Sequence, residues 1–427
     1  MTYSLVDFLS DPLLRAPMWG SLFMCLASSW IGVIVMIRKQ SLVGETLSHA
    51  AYPGVVLGAW GFAMVSSFLP EEGFSLFLLG GAFLCSWMGL YFLKALQERL
   101  HIKSDAALCF VLSSFFGVGV LLASRMQYVH ALWYKQIQAF LYGQTATMTD
   151  IHIGIYGALC LGVLAFLALF YRVIQVTNFD RLFAQSLGFA TSRMDALFFL
   201  LLVLAVTIAI RSVGVVLLSG MLIAPALSAR QFVHSLSSLF MLSGCFGAVS
   251  ALMGNYCAIY SYLPIPAGPM IVLCSTMLCI LSLFFAPKRG LILRLLRKRR
   301  FSASCIEENL LKALWKCFPK GKTWEELKSY GSVTQRRLHR LCRQGWIVRS
   351  DGQYVLSKDG EVRAGHIVRL HRLWEVYLVH LGQTAEKVHA SAEEMEHVIT
   401  PELEKRLSDY LNHPKVDPHH QPIPPKR

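Results

Sequence analysis

Charged residues are scarce in the first two thirds of this 427-residue chain. Residues 1–286 contain 13 Lys and Arg against 10 Asp and Glu, a net charge of +3, whereas residues 287–427 contain 27 against 16, a net charge of +11. The whole chain is 55% hydrophobic and only 15% charged, which excludes an ordinary soluble globular protein. The composition predicts an apolar membrane portion followed by a basic soluble portion, whose charge favours nucleic acid or an anionic membrane surface as a partner.

Closely spaced cysteines and a secretory leader are also missing. The eleven cysteines are scattered, mostly within apolar runs, and no CxxC pair occurs. This pattern is typical of packed, reduced thiols and argues against a disulfide framework. At the N-terminus, Asp7, Asp11 and Arg15 precede the first long apolar run, which does not match the pattern of a secretory leader.

The chain contains no phosphate-binding loop of the form GxxxxGK[ST]. The stretch "FPKGKTW" (318–324) includes GKT, but Lys316 stands where the motif requires its first glycine. We therefore expect this chain to have no ATPase site of its own. If it works in an ATP-driven process, a separate subunit must bind the nucleotide.

Apolar runs long enough to cross a bilayer, about 20 residues each, recur throughout residues 1–286. They predict an all-α polytopic membrane domain with about nine transmembrane helices. The predicted spans are 17–37, 42–62, 74–95, 105–124, 151–171, 194–210, 212–230, 239–261 and 269–286.

Clusters of Lys and Arg follow alternate predicted spans, and such clusters mark the cytoplasmic side of a membrane. Arg38 and Lys39 form the first cluster, and the run from 288 to 300 forms the last. Arg125 and Lys135 are exceptions, because they fall in a loop that would face outward. The pattern predicts an external N-terminus and a cytoplasmic C-terminal third.

An acid and an imidazole lie one helical turn apart within "SLVGETLSHAAYPG" (41–54). Glu45 and His49 are at positions i and i+4, and an ionisable pair inside a membrane segment commonly lines a polar path. Pro53 and Gly54 follow and would interrupt the helix, as in many transport sites. The alternative is a cytoplasmic helix end with a solvated Glu and a packed His, and the residues alone leave both open.

Residues 10–286 resemble the permeases of metal ABC transporters that import manganese, zinc or iron. The motifs that carry the resemblance are residues 38–54, "FLYGQ" (140–144), "VGVVLLSGMLIAPALSAR" (213–230) and "LPIPAGPMIVL" (263–273). The resemblance implies that Glu45 and His49 line the metal path, with Glu45 in place of the family's usual Asp. It also implies a permease dimer, a separate ATP-binding subunit and a periplasmic metal-binding protein.

The segment "NFDRLFAQSLGFATSR" (178–193) is a short amphipathic stretch between two predicted spans. It is similar to the family's cytoplasmic coupling helix, which docks on the ATPase. The resemblance implies coupling roles for Asp180, Ala184 and Gly188. The alternative is an ordinary interfacial loop helix.

Beyond a basic amphipathic stretch at 287–304, the pattern changes to three short helices and a hairpin. The third helix lies in "SVTQRRLHRLCRQGW" with Ser332 as its N-cap, and "IVRSDGQYVLS" predicts two strands that turn at Asp351-Gly352. This order is typical of a winged helix-turn-helix. The predicted recognition residues, which would meet bases and phosphates, are Gln335, Arg336, Arg337 and Arg340. A merely solvated basic face is the alternative.

A second set of candidate ligands lies in "KVHASAEEMEH" (387–397). His389, Glu393, Glu396 and His397 occupy positions i, i+4, i+7 and i+8, which is one face of a helix. Imidazole and carboxylate together form a ligand set for first-row divalent metals.

From residue 307 to 424 the chain resembles the iron- and manganese-dependent repressors typified by the diphtheria toxin repressor. The motifs that carry the resemblance are "RLHRLWEVYL" (369–378), residues 387–397, "ITPELEKRL" (399–407) and "HPKVDPHHQPIP" (413–424). The resemblance implies two metal sites. The first consists of His371, Glu375 and His389, and the second includes Glu393, Glu396 and His397.

Two departures from the repressor pattern predict weaker binding or an altered metal. Asn309 stands where the family has a Met or Asp ligand of the second site, and the family's SH3-like third domain does not follow "PIPPKR". The tail itself is expected to be flexible, with His419 and His420 at most adventitious ligands.

The residues and the resemblances together predict four segments: a metal ABC permease domain (1–286), a basic linker (287–304), a winged helix-turn-helix (305–364) and a metal-sensing and dimerisation domain (365–427). The predicted function is import of Mn²⁺ or Fe²⁺, with Zn²⁺ as a further candidate, across the bacterial inner membrane, combined with metal-dependent repression at operator DNA. Two alternatives remain: a C-terminal domain that gates the permease in cis without binding DNA, and a secondary transporter. Because a membrane-anchored dimer reaches an operator only with difficulty, we also predict proteolytic release within residues 287–304.

Overall fold

The structure is a computed structural model, and it describes residues 11, 14–65, 73–129, 131–143, 145, 148–215, 218–261, 265–287, 289–328 and 334–426. These residues form two compact units, one within 1–293 and one within 294–427. Some residues used in the sequence predictions lie outside the described part: Asp7, Gln144, Val216, Leu217, Leu263, Pro264, Lys288 and Ser332.

The first unit is helical throughout its described residues. Its helices are α1 (Arg15–Ile37), α2 (Val43–Val65), α3 (Gly73–Glu98), α4 (Ser104–Val129), α5 (Ala131–Tyr142), α6 (Asp150–Phe179), α7 (Arg181–Ser186), α8 (Thr191–Val213), α9 (Leu218–Arg230), α10 (Leu236–Tyr260) and α11 (Ala267–Phe285).

Seven described helices are long and apolar enough to cross a membrane, so the predicted count of nine is wrong by this measure: they are α1, α3, α4, α6, α8, α10 and α11. The other two predicted spans fall mainly in α9 and α2. Gly214, with a φ of +90°, ends α8 inside the predicted span 212–230, and the described residues of α9 extend for only about 20 Å, less than the ~30 Å hydrocarbon core. In α2, Glu45 and His49 together with several Gly, Ser and Thr residues make the helix less apolar than the other spans. Such residues are tolerated there because most of the helix is buried in the bundle, away from lipid.

Helix α2 packs most extensively against α3 and α4. The contact with α3 depends on glycine, since a Cβ atom on Gly54 would lie 2.1 Å from the carbonyl oxygen of Gly81. Small residues allow this close approach of two backbones in a bundle where lipid offers no hydrophobic driving force. Helix α1 in turn packs against α6, α9 and α10. Side chains on α2 are therefore held inside the bundle.

The second unit begins within α12 (Leu291–Trp315), a continuous helix that passes through the predicted linker and its Ser-rich end. Ser and Ala in "FSAS" are tolerated inside a helix, and the winged-helix core starts in its last turns at Leu310, Leu311 and Leu314. The predicted four-part division of the chain stays a prediction.

The winged helix-turn-helix order is confirmed by β1 (Lys322–Thr323), α13 (Trp324–Lys328), α14 (Gln335–Arg343), β2 (Ile347–Ser350) and β3 (Gln353–Leu356). The three strands form an antiparallel sheet in the order β1-β3-β2. The β2–β3 hairpin turns at Asp351 and Gly352, whose φ angles are +50° and +77°. This is the backbone that a two-residue turn of the Asp-Gly type requires.

Three helices complete the second unit: α15 (Lys358–His380), α16 (Ala385–Met395) and α17 (Pro401–Tyr410). The tail that follows is ordered, so its predicted flexibility is wrong. Val416 pairs with Pro422 in an isolated antiparallel bridge, and the Asp417 carboxylate accepts hydrogen bonds from the backbone N–H groups of His419 and Gln421. Backbone and side-chain hydrogen bonds within the turn thus offset the entropy that a Pro-rich end would otherwise retain.

Candidate metal centres

The first candidate centre forms where α15 packs against α16. On α15, a buried stripe with helical spacing runs through Ala364, Ile367, His371, Glu375 and Leu378. Two polar residues in an otherwise apolar stripe must be paired inside the unit. The pairing partner is on α16, where burial of Val388 and Ala392 directs the helix toward α15.

His371, Glu375 and His389 are brought together by this packing. The Nε2 atom of His371 lies 3.1 Å from Oε1 of Glu375 and 3.1 Å from Nδ1 of His389, and Nδ1 of His389 lies 2.9 Å from Oε1 of Glu375. One potential ligand atom from each side chain lies within 4.8 Å of the others. Among the described residues, this is the group of three or more His, Cys, Asp or Glu side chains close enough to hold one metal ion.

Electrostatics hold this centre together without a metal. Burial alone would raise the pKa of Glu375, but hydrogen bonds from His371 and His389 outweigh it and lower the pKa to about 2. For His371, burial acts to lower the pKa, and hydrogen bonds to Glu375 and Glu396 reverse the balance and leave it raised. The carboxylate is thus ionised and ready for a cation, which must displace a proton from the imidazole.

The donor set of the first centre fits a divalent transition metal. Two imidazoles and one carboxylate suit manganese, iron or zinc, and three protein ligands leave coordination positions open. The side chains of His371 and Glu375 are nearly buried, whereas half of the His389 side chain is exposed, which provides a route of entry. His371 also binds Oε2 of Glu396 through Nδ1 at 2.5 Å, and such a partner orients a metal-binding imidazole.

The ordered tail contributes to the same region. A cavity of about 310 Å³ is lined by His371, Glu375 and His389 and also by Asp417 and His419. From the sequence, His419 was predicted to be at most an adventitious ligand, because nothing in the local pattern predicts that the tail folds back. The path of the tail is defined by contacts with distant residues, among them the ion pair of Asp417 with Arg372 (3.3 Å) and the hydrogen bond of 2.8 Å from Arg369 to the carbonyl oxygen of Pro424.

The side chains assigned to a second site are placed differently. Glu396 is buried and lies 2.7 Å from the ammonium of Lys312, while half of the Glu393 side chain is exposed, with Oε1 3.6 Å from the same ammonium. The Nδ1 atom of His397 lies 2.6 Å from Oε2 of Glu308. These side chains, together with the exposed Asn309, do not form a joint ligand set in the described structure.

Sequence reasoning missed Glu308 and Lys312, which lie one turn apart on α12. The available signal was Lys312 itself, a lysine inside the apolar run "LLKALW" (310–315). Lysine is rarely buried unless it is paired, and this position predicts a buried partner. Helical periodicity could not name that partner, because Glu396 is 84 residues further along the chain.

In the first unit, Glu45 and His49 lie on α2 and are both half-buried. The imidazole of His49 meets the ring of Phe116 edge-on, with 4.8 Å between ring centroids. Its buried Nδ1 atom makes no hydrogen bond to any residue that the structure describes. A buried nitrogen without a partner is costly and marks this side chain as a candidate ligand for a passing cation.

Segment 178–193 contains the short helix α7. The Asp180 carboxylate accepts a hydrogen bond of 2.9 Å from the backbone N–H of Phe183, which caps the helix. Ala184 is fully buried, and Gly188 ends the turn with a φ of +80°. Four large apolar side chains of the segment are more than half exposed: Phe179, Leu182, Phe183 and Leu187. The segment therefore combines a fixed backbone with an exposed apolar face.

An ion network that the sequence analysis did not predict connects this segment to α1. Asp195 binds Arg38 through one carboxylate oxygen and Arg181 through the other, each at 2.9 Å. Arg38 also donates a hydrogen bond of 2.8 Å to the amide oxygen of Asn178. Arg38 ends α1, five residues before α2 begins at Val43. The carboxylate thus joins the first residue of α7 to the approach to Glu45 and His49.

The predicted recognition residues lie on α14, which begins at Gln335 with Thr334 as its N-cap residue. Gln335, Arg336 and Arg340 are exposed, whereas Arg337 is half-buried. A cavity of about 440 Å³ is lined by Gln335, Arg336, His339, Arg340 and Arg343. Arg340 also forms an ion pair of 3.2 Å with Glu307. Cationic donors on an exposed helix are suited to phosphate groups.

Comparisons with known proteins agree with both halves of this description. The ABC 3 transport family matches residues 10–286, and the metal binding and dimerisation domain of the iron dependent repressors matches residues 357–425. A "probable metal transport system membrane protein" of Chlamydia trachomatis is 36% identical over 94% of this chain and 93% of its own length. The manganese transport system membrane protein MntC of Bacillus subtilis is 30% identical over 84% of this chain and 83% of its own length.

A solved structure of PsaBC from Streptococcus pneumoniae, in complex with Fab, is also similar. It is 27% identical, with a TM-score of 0.57 over 66% of this chain and 96% of its own. The match to the ABC 3 transport family covers more than half of the chain, and the seven candidate spans lie within it. The match to the repressor domain covers the C-terminal metal-binding fold. The chain therefore belongs to the ABC 3 transport family, as a multi-pass metal permease joined to an iron-dependent repressor domain.

Proposed function

We propose that this chain forms the membrane path of an ATP-driven importer of Mn²⁺ or Fe²⁺, and that its C-terminal unit senses the same class of metal and binds operator DNA. The observation that carries the proposal is the His371–Glu375–His389 group in a chain that belongs to a metal permease family. Transport across the membrane does not require a metal-binding group in a separate compact unit. Metal sensing explains why this group is present.

In the proposed path, Glu45 and His49 bind the cation in transit. The carboxylate supplies negative charge, and the unpartnered Nδ1 of His49 supplies a neutral donor. Conduction needs ligands that bind the ion and then release it, and two ligands one turn apart suit that task. A permease dimer and a periplasmic metal-binding protein complete the importer.

A separate ATP-binding subunit would dock on the exposed apolar face of segment 178–193. The capped, glycine-terminated α7 gives such a contact a fixed backbone, and Asp180, Ala184 and Gly188 maintain it. Through Arg181, Asp195 and Arg38, movement of this segment would reach the start of α2. A gene for a phosphate-loop ATPase next to this one would be the simplest support.

Manganese or iron is the proposed metal, ahead of zinc. His371, Glu375 and His389 offer nitrogen and oxygen donors without a thiolate, which favours harder divalent ions. The Bacillus subtilis relative is named as a manganese transport protein, in line with this choice. A direct test is competition binding of Mn²⁺, Fe²⁺ and Zn²⁺ to the purified full-length chain.

DNA binding by α14 is tested with the full-length protein in detergent. A gel-shift titration on DNA from the gene's own upstream region should show a complex that depends on Mn²⁺ and is lost in Arg336→Ala. Arg406→Ala serves as the matched control, because Arg406 is an exposed arginine on α17. Mn²⁺ binding without any DNA complex would instead favour a C-terminal unit that gates the permease in cis.

We place the C-terminal unit in the cytoplasm of a bacterial inner-membrane protein and propose its release by proteolysis within residues 287–304. The first part of α12 has exposed side chains from Leu291 to Ser302, and an exposed helix with few tertiary contacts opens easily. An immunoblot against residues 400–427 should reveal a soluble fragment. Only full-length membrane-bound protein, in metal-poor and metal-rich growth alike, would contradict release.

A further inference from the structure

Two carboxylates that the repressor resemblance assigns to a second metal hold a cation that belongs to the chain itself. The ammonium of Lys312 lies 2.7 Å from Oε1 of Glu396 and 3.6 Å from Oε1 of Glu393. Only 8% of the Lys312 side chain is exposed, and the side chain of Glu396 is fully buried. A positive charge therefore already lies between these carboxylates, away from bulk water.

Most other donors around this position are also engaged, except Nε2 of His397, which makes no hydrogen bond to a described residue and lies 3.5 Å from the Glu396 oxygen that Lys312 contacts. The second oxygen of Glu396 lies 2.5 Å from Nδ1 of His371, and Nδ1 of His397 lies 2.6 Å from Glu308. Glu308 in turn forms an ion pair of 2.9 Å with Arg363. Asn309, the position where the family has a Met or Asp ligand, is exposed. A second metal would have to break the contact of Glu396 with Lys312 or with His371 to obtain that carboxylate as a ligand.

The charges around Glu396 also disfavour binding of a second metal. Removing one partner of a buried ion pair leaves an uncompensated charge, which is strongly unfavourable, so Lys312 and Glu396 stabilise each other as a unit. A divalent cation approaching Glu396 would meet the ammonium at short range, where screening by water is weak. The ammonium has three N–H donors and supplies hydrogen bonds as well as charge to the carboxylates.

We propose that Lys312 is a built-in cation that fills the second site, so that the C-terminal unit takes one transition metal, at His371, Glu375 and His389. This inference rests on the proposed sensing function and limits it to a single ion. The second site stays formed at every metal concentration, because its cation is covalently attached. Metal sensing then depends on the first centre alone.

The test is the number of Mn²⁺ ions bound per chain, measured by equilibrium dialysis and elemental analysis. The full-length protein is used in detergent, with Glu45→Ala and His49→Ala present in every sample to remove the proposed transport site. In this background the chain with Lys312 should bind one Mn²⁺, and His389→Ala should weaken that binding by roughly 10–100-fold. Lys312→Met should bind two ions, whereas Lys312→Arg, which keeps the positive charge, should bind one.

The outcomes separate this inference from the function on which it rests. Two ions bound in the presence of Lys312, or one ion in a Lys312→Met protein that elutes like its parent in size exclusion, would overturn the inference. No Mn²⁺ bound in the presence of Lys312 would instead contradict the sensing function. Lys312→Gln provides a second neutral variant, and it should also bind two ions if Lys312→Met fails to fold.

Discussion

The two units contain the same local arrangement of an acid and an imidazole one helical turn apart, in opposite surroundings. Glu45 and His49 lie on α2 of the membrane unit, and His371 and Glu375 lie on α15 of the C-terminal unit. The second pair gains His389 from a neighbouring helix, and its His371 donates a hydrogen bond to Glu396. In the first pair, the Nδ1 atom of His49 makes no hydrogen bond to a described residue and its ring rests against Phe116.

We propose that this difference distinguishes a transport path from a metal sensor. A sensor must hold its ion at a defined concentration, and ligands that already contact each other bind with little reorganisation. A path must release its ion, and a pair of ligands with few fixed partners is suited to weaker, transient binding. The two pairs therefore have the same helical spacing, and they differ in the number of neighbouring side chains that orient the ligands.

The largest expected effect concerns the membrane pair. His49→Ala and Glu45→Ala should each lower Mn²⁺ uptake by at least roughly tenfold in cells that carry the partner subunits, because a ligand of the path is lost. Uptake of a radioactive manganese tracer measures this. His101→Ala, at an exposed histidine after α3, is the control. Uptake at the wild-type rate in both variants would remove the pair from the path and end the comparison.

Next in size is the contrast between two histidines of the C-terminal unit. His389→Ala should weaken Mn²⁺ binding by roughly 10–100-fold, because it removes one of three ligands. His397→Ala should change it only a fewfold, since His397 pairs with Glu308. Both constants come from competition with a fluorescent chelator, with His413→Ala as an exposed control. Equal losses in the two variants would restore a metal-binding role for His397.

A smaller effect is expected at Asp195, which acts on the membrane pair from a distance. Asp195→Asn should keep the side-chain size but weaken the ion pairs with Arg38 and Arg181, so that less metal is moved for each ATP hydrolysed. The ratio of uptake to hydrolysis in proteoliposomes measures this, and Asp150→Asn, at an exposed ion pair with Arg15, is the control. Mn²⁺ affinity of the C-terminal unit should stay unchanged. An unaltered ratio would exclude the network from coupling.

The smallest effect is a pH dependence of the metal-free C-terminal unit. The raised pKa of His371 means that its contribution to stability is complete below the unfolded pKa of 6.5 and is lost as pH rises through the folded pKa. Glu375, with its pKa near 2, contributes fully above 4.5 and loses its contribution as pH falls toward that value. Stability should therefore decrease as pH rises above 6.5, through the raised pKa of His371.

Hydrogen exchange of α15 in the full-length protein measures this change. His371→Gln should flatten the profile over the same pH range, whereas His366→Gln, five residues earlier on α15, should leave it intact. A profile that rises toward alkaline pH would show that the hydrogen bonds of His371 do not favour the protonated imidazole.

The sequence by itself was sufficient for the features that depend on local pattern. Hydropathy separated an apolar portion from a basic one, and the Asp351-Gly352 turn predicted the hairpin that the structure contains. The i, i+4 spacing placed Glu45 with His49, because a helix turn brings such residues onto one face. Each of these inferences needs only neighbours along the chain.

Only the tertiary structure decided which side chains meet across the fold. His389 joins His371 because α15 and α16 pack together, and Lys312 reaches Glu396 across 84 residues of sequence. The face of residues 387–397 suggested one ligand set, yet packing directs His389 to one centre and Glu396 to another cation. Long-range contacts depend on the summed packing of many side chains, and a periodic pattern records only which face is buried, not what lies against it.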